Sequence, residues 1–136
     1  MRVFEAGLYS AIAAIAIGWL IVGRLFDRFQ SRNPSTWRDR SWRLRVGGIL
    51  VNDVFFGFAF SGFFFLVGGI GRFNIDNWIG NGLAFGVGCW AAVACPMCLS
   101  ILVFMRVHKG VVIGMLLDWL ASSIAAGLIC GYLLGR

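Results

Sequence analysis

The chain has 136 residues, of which 60% are hydrophobic and only 13% are charged, and its formal net charge is +6. Soluble domains carry roughly 25% charged residues, so this composition excludes an ordinary soluble domain. Four apolar runs are long enough to cross a bilayer, at about 6–26, 47–71, 78–105 and 110–134. We therefore expect an all-α integral membrane protein in which residues 1–136 form a single four-helix bundle.

Basic residues are distributed unequally between the two sides of the predicted bundle. Nine of the twelve lysines and arginines lie in the loops that follow the first and third helices. Because cytoplasmic loops carry the excess of Lys and Arg, we expect both termini on the non-cytoplasmic side of a bacterial inner (cytoplasmic) membrane. The net positive charge follows from this topology, and no nucleic-acid partner is expected.

The loop between the first two helices contains a short basic segment, 36–46, in which arginines alternate with large apolar residues. This pattern is typical of an interfacial helix or strap whose arginines contact anionic lipid headgroups. The residues predicted to make these contacts are Trp37, Arg38, Arg40, Trp42, Arg43 and Arg45. Docking of a protein partner is the alternative function of this segment.

Small residues recur at helical spacing, and such faces let helix backbones approach closely in lipid. The first helix has one face of this kind, formed by Gly7, Ala11, Ala14 and Gly18. The predicted packing glycines of the third and fourth helices are Gly82, Gly86, Gly110, Gly114, Gly127, Gly131 and Gly135. The last three form a second face on the fourth helix, which we interpret as surplus. It predicts a homo-oligomer or docking onto a larger complex, with lipid contact or a bend as the alternative.

Two acids lie inside apolar runs, Asp53 in the second and Asp118 in the fourth. Charged groups at bilayer depth are costly, usually face the bundle interior and often mark function. Counted from the nearest basic residue, both acids lie roughly 12–13 Å deep in the same half of the hydrocarbon. We expect the two carboxyls to meet, with at least one of them protonated.

Three roles fit this acid pair. The first is interhelical hydrogen bonding by carboxyls that are neutral or paired with Arg24, the best available counter-ion. The second is a proton or cation site in a small transporter. The third is an anchor for a cofactor or a neighbouring subunit. Asn52 is adjacent in sequence, although a helix directs its side chain about 100° away from that of Asp53.

Seven phenylalanines crowd the second helix between Phe55 and Phe65. The pattern indicates core packing and lipid contact. An aromatic wall for a flat apolar ligand, such as a quinone or a carotenoid, is the alternative, although no specific polar group accompanies it. We expect no cofactor beyond such a lipid, quinone or carotenoid.

The run Cys95-Pro96-Met97-Cys98 has redox spacing but lies within an apolar helix. We interpret its cysteines as buried structural thiols and Pro96 as a helix bend. Copper(I) binding and a thiol oxidoreductase are the alternatives. His108 is expected to be a solvated loop residue, because a single histidine is a poor metal site. No catalytic set is recognisable, so the chain is predicted to be non-enzymatic with no metal.

The second half of the chain combines Gly82-Leu83-Ala84-Phe85-Gly86, a short basic turn, Ile113 to Asp118, and Gly127 to Tyr132. Together with Ile17-Gly18-Trp19-Leu20, this pattern resembles the small four-helix bacterial membrane proteins of domain-of-unknown-function family 1761. The resemblance includes an acid in the last helix, at Asp118. It implies a four-helix fold and no assigned activity. The cysteine run and the long arginine loop depart from the family pattern.

These observations predict a non-enzymatic multi-pass membrane protein. Its leading predicted role is that of an accessory or structural subunit that associates with itself or with a larger energy-transducing or pigment-binding complex. The alternative is a small ion- or proton-coupled transporter that uses Asp53 and Asp118.

Overall fold

The computed structural model describes residues 2–26, 42–68, 77–105 and 107–134, and all regular secondary structure in these ranges is helical. Four helices are long and apolar enough to cross a membrane, which confirms the predicted all-helical architecture and is compatible with a multi-pass membrane protein. We number them α1 (Arg2–Leu20 with the π-helical turn Ile21–Leu25), α2 (Trp42–Phe63 with Phe64–Gly68), α3 (Trp78–Cys89, the π-helical turn Trp90–Ala94, and Cys95–Phe104) and α4 (Lys109–Leu134).

The first two helices begin several residues earlier than their apolar runs, whereas α3 and α4 begin within one residue of theirs. α1 begins at Arg2, four residues before the predicted start, and α2 begins at Trp42, five residues before. Arginine is a good helix former whose long side chain reaches water, so a spanning helix continues into such flanks. The last part of the predicted basic segment, 42–46, is therefore a continuation of α2, while residues 36–41 lie outside the described ranges.

Neighbouring helices are antiparallel. Gly7 of α1 lies against Phe58 of α2, Ser10 of α1 against Cys130 of α4, and Gly82 of α3 against Gly127. This arrangement defines two ends. At the basic end, α1 and α3 finish and α2 and α4 begin; at the terminal end, α1 and α3 begin and α2 and α4 finish.

The closest helix pairs are α1–α2, α3–α4 and α1–α4, whereas α2 and α3 meet only near the terminal end. An aromatic cluster fills that meeting place. The Phe85 ring of α3 lies 5.3 Å from Phe60 and 4.9 Å from Phe64, both edge-on, and 5.5 Å from Phe63. Phe60, Phe64 and Phe85 are buried together with Ala6, Ala126 and Cys130, so a continuous cluster of core residues lies in the terminal half.

Candidate functional site

The acid pair occupies the basic half of the bundle. Asp53 follows the start of α2 by eleven residues and Asp118 follows the start of α4 by nine, so their helices bring them to similar depth. Both side chains are half-buried. The structure therefore places the two acids in the same half of the bundle, and a direct meeting of their carboxyls remains a prediction.

Asp118 points toward α1. Its carboxylate oxygens lie 3.6 and 3.9 Å from the position that a Cβ atom would take at Gly18. The Oδ1 atom is buried and has no hydrogen-bond partner among the described residues. Gly18 thus provides the space for the carboxyl, but α1 supplies no donor for this oxygen. A buried polar atom without a partner is costly and is rare in native structures, so it requires an explanation.

The polar neighbours of the acids differ from those expected. The Asn52 amide donates a 3.3 Å hydrogen bond to Asp53 Oδ1, although adjacent positions on a helix diverge. The Arg24 guanidinium lies 4.7 Å from the centre of the Trp19 ring, in a cation–π contact on the bundle surface. Arg24 is therefore engaged with an aromatic ring, while Asn52 is the residue that donates to one of the two acids, Asp53.

An aromatic layer borders the acids on the side of the terminal end. Phe56 is one turn beyond Asp53 and Trp119 follows Asp118; their rings meet edge-on with centres 5.4 Å apart. Phe56 also lies 5.5 Å from Phe60, which belongs to the terminal aromatic cluster. The acids consequently lie between an apolar aromatic layer on one side and the basic end of the bundle on the other.

The second glycine face of α4 is not surplus, and that interpretation was wrong. Gly127 contacts the Gly82 backbone, and the Trp78 carbonyl oxygen is 2.5 Å from a Cβ placed at Gly131. Gly86 contacts the Ser123 backbone in the same seam. Hence α3 covers this face within one chain. Two small-residue faces on α4 do not require a partner outside the chain, because α4 lies between α1 and α3 and packs one face on each.

The remaining packing glycines are placed as follows. Gly114 lies against the Phe26 ring. A Cβ atom placed at Gly114 would be 2.6 Å from Phe26 Cγ. Gly110 is buried at the beginning of α4. Gly135 lies outside the described ranges.

Most phenylalanines of α2 have assigned contacts or face outward. Phe60 and Phe64 pack on Phe85, and Phe58 lies 5.1 Å from Phe4. Phe55 faces outward and lines a shallow apolar groove with Leu50, Val51, Val54 and Phe58. The inner rings thus fill the core themselves. A quinone or carotenoid would have to lie against the outer, lipid-facing side of α2.

The cysteines are free thiols that α3 and α4 distribute over both halves of the bundle. Cys98 and Cys130 are fully buried, and Ser10 Oγ lies 4.0 Å from Cys130 Sγ. In the described residues no three side chains among His, Cys, Asp and Glu are grouped to hold a metal ion. The interpretation of these cysteines as structural thiols remains a prediction, as does the copper(I) alternative.

His108 has a specific role that the sequence did not reveal. Its Nδ1 atom accepts a 3.0 Å hydrogen bond from the Gly110 backbone N–H, and its carbonyl accepts one from Val111 at 2.9 Å. His108 therefore caps the N-terminus of α4. The sequence does not indicate this cap, because the usual capping residues are Ser, Thr, Asp and Asn rather than His.

The predicted headgroup-binding residues are not open to a structural description. Trp37, Arg38 and Arg40 lie outside the described ranges, and the side chains of Trp42, Arg43 and Arg45 do as well. Their contact with lipid remains a prediction.

One further residue near the acids, Trp90, was not identified from the sequence. Trp90 donates a 3.0 Å hydrogen bond from Nε1 to the Leu116 carbonyl oxygen, two residues before Asp118. Gly57, on the same helix as Asp53, packs directly on the backbone of α1. A Cβ atom placed at Gly57 would lie 2.5 Å from both Ala11 N and Gly7 O. A polar aromatic residue inside a spanning helix was the available signal for Trp90, since buried indole N–H groups usually find an acceptor.

Comparison with protein families, with curated proteins and with solved structures found no match to this chain. The resemblance to domain-of-unknown-function family 1761 therefore remains a prediction.

Proposed function

We propose that this protein is a small, non-enzymatic membrane transporter in which Asp118 and Asp53 bind a proton or a small cation. One observation carries the proposal: Asp118 Oδ1 is buried in the half of the bundle that also contains Asp53, and it has no hydrogen-bond donor among the described residues. Acids inside spanning segments commonly form proton or ion pathways. A bound cation contacts this oxygen directly, and a bound proton removes the charge of the carboxyl, which is costly at bilayer depth.

The competing structural role needs partners for both carboxyls. Asn52 supplies one donor to Asp53, but no described residue donates to Asp118 Oδ1, and Arg24 contacts Trp19. Interhelical hydrogen bonds stabilise a membrane bundle only when they form. The unpartnered oxygen therefore favours ion binding over helix packing as the role of Asp118.

Proton binding can be measured directly in the protein reconstituted in liposomes. Infrared difference spectra between acidic and alkaline buffer should show a protonated carboxyl band that disappears in Asp118→Asn. Proton uptake driven by a potassium diffusion potential should be lost in the same variant. Glu5→Gln, which changes an exposed acid near the terminal end, is the matched control and should retain both signals. Equal spectra and equal flux in the parent and Asp118→Asn would exclude the proposal.

A second candidate function is that of an accessory subunit that associates with copies of itself or with a larger complex. Asn52 supports it, because this polar side chain is exposed on the surface of a spanning segment. Gly48, one turn away, has open space around it. Polar side chains in spanning helices form hydrogen bonds across helix interfaces. A neighbouring helix at this surface would cover Asn52.

The decisive measurement for this candidate is the mass and absorption spectrum of the protein extracted from its native membrane in mild detergent. Co-migrating subunits, pigments or further copies that are lost in Asn52→Leu support it. Val54→Leu is the control, because it alters an exposed apolar residue of the same helix. A colourless single chain in all three proteins supports the transporter alone.

We further propose that the membrane is the bacterial inner membrane, with both termini on its non-cytoplasmic side and the basic end in contact with anionic headgroups. The excess of arginine and lysine in the two loops at the basic end supports this orientation. Labelling of single cysteines introduced at each end with a membrane-impermeant maleimide on intact cells tests it. Labelling at the basic end rather than the terminal end would contradict it.

A further inference from the structure

Helix α3 is held to the bundle unequally along its length. In its terminal half, Gly82 and Gly86 bring its backbone against that of α4, and the Trp78 ring lies 5.3 Å from Tyr132. Backbone contact of this kind leaves little room for relative movement. This half of α3 is therefore fixed to α4.

The basic half of α3, Cys95–Phe104, is held much less. Cys98 is the one residue of this segment that is buried, and Val103 and Phe104 are 73% and 85% exposed. The segment makes far fewer close contacts with α4 than the terminal half makes. Beyond this packing, the segment is attached to α4 through the short connection that precedes Lys109.

Three features weaken the helix between these halves. The π-helical turn Trp90–Ala94 replaces regular hydrogen bonds, with the Cys95 N–H bonded to the Trp90 carbonyl. Pro96 has no N–H to donate, and Ser100 Oγ donates a 2.9 Å hydrogen bond to the Pro96 carbonyl. Prolines, π-bulges and such hydroxyl contacts are known causes of helix bending.

The junction itself is attached to α4. Trp90 Nε1 donates to the Leu116 carbonyl oxygen at 3.0 Å, at the first residue of the π-helical turn. The irregular part of α3, where bending is easiest, is thus also the part that is hydrogen-bonded to α4. A segment that is pinned at one end and weakly held beyond it can swing about the pin.

We propose that α3 contains a hinge at Trp90–Pro96, about which its basic half swings while its terminal half stays fixed to α4. The inference does not depend on the ion-binding proposal. The moving segment has ten residues, so it is roughly 15 Å long. A swing of roughly 20°, typical of a sharp kink, moves its far end by roughly 5 Å. This movement opens the side-chain contact that buries Cys98.

Distances between spin labels in liposomes test the hinge. Labels at Leu20→Cys and Val103→Cys report on the basic half, and labels at Leu8→Cys and Leu83→Cys report on the terminal half. All four positions are exposed, so the labels do not enter the core. Both pairs are placed in a variant in which alanine replaces the native cysteines Cys89, Cys95, Cys98 and Cys130.

We expect a distance distribution for the basic pair that is broader than that of the terminal pair by several ångströms. Trp90→Phe keeps an aromatic ring but removes the N–H donor. It should broaden the distance distribution of the basic pair further without changing that of the terminal pair. Pro96→Ala restores an N–H and should narrow the basic pair. If Trp90→Phe does not fold, Pro96→Ala decides alone. Equal, narrow distributions for both pairs that neither substitution changes would overturn the hinge.

Discussion

In the terminal half of the bundle the helices touch backbone to backbone, whereas in the basic half they touch through side chains and have acids between them. Gly82 and Gly127 exemplify the first mode, and Gly18 with Asp118 exemplifies the second. In lipid, close packing is a main source of helix association, since the hydrophobic effect contributes little. The terminal half therefore supplies stability, and the basic half is where polar groups and movement can be accommodated.

The largest effect on stability is expected from adding one methyl group where the backbones of α3 and α4 touch in the terminal half. Gly82→Ala places a Cβ against the Gly127 backbone, so α3 and α4 must separate. We expect a loss of about 3 kcal/mol, the upper end of the usual cost of overpacking. Unfolding in mixed detergent micelles, followed by tryptophan fluorescence, measures it. Gly88→Ala, on the same helix but with open space around it, should be close to neutral.

The aromatic core of the terminal half should respond next. Phe85→Ala removes the ring that Phe60, Phe63 and Phe64 surround. Soluble cores lose about 3–5 kcal/mol for such a change, and we expect about 2 kcal/mol here because only the packing contribution is lost in lipid. The same unfolding assay applies. Phe55→Ala, at a residue 74% exposed, is the control, and an equal loss in both would contradict the assignment of the core.

The general architecture could be predicted from the sequence, because four apolar runs of membrane length leave one main solution. The depths of Asp53 and Asp118 also followed from residue counts, and the structure places both in one half of the bundle. Which helix covers each glycine face could not be predicted, since spacing shows that a face exists but not its partner. The covering of Gly127 by α3 is the clearest case.

The π-helical turns were also beyond prediction. Each inserts one residue into a turn without a residue type that requires it, and only the bend at Pro96 had a sequence signal. Likewise, nothing in the order of residues indicates that Arg24 contacts Trp19 rather than an acid. Such choices depend on side-chain geometry in the assembled bundle.

In the basic half we expect the opposite effect, namely that one substitution stabilises the folded protein. Asp118→Leu replaces a carboxyl whose Oδ1 is buried without a partner, so the cost of that atom disappears. We expect a gain of about 1 kcal/mol in the free energy of unfolding together with complete loss of proton uptake. Glu5→Leu, at an exposed acid, should change neither quantity appreciably. A destabilised Asp118→Leu would show instead that the carboxyl has a packing role.

The smallest expected effect concerns the start of α4, which carries Asp118 into the bundle. His108→Ala removes the Nδ1 acceptor of the Gly110 N–H, so one donor at the helix N-terminus loses its partner. The loss should be about 1 kcal/mol or less, as for other N-terminal caps. His108→Asn offers a side-chain oxygen to the same N–H and should retain most of the stability. If His108→Asn is as unstable as His108→Ala, the contribution of His108 comes from its ring rather than from capping. In that case the stability of the basic half would depend on packing of the His108 ring at the start of α4, as well as on contacts within the bundle.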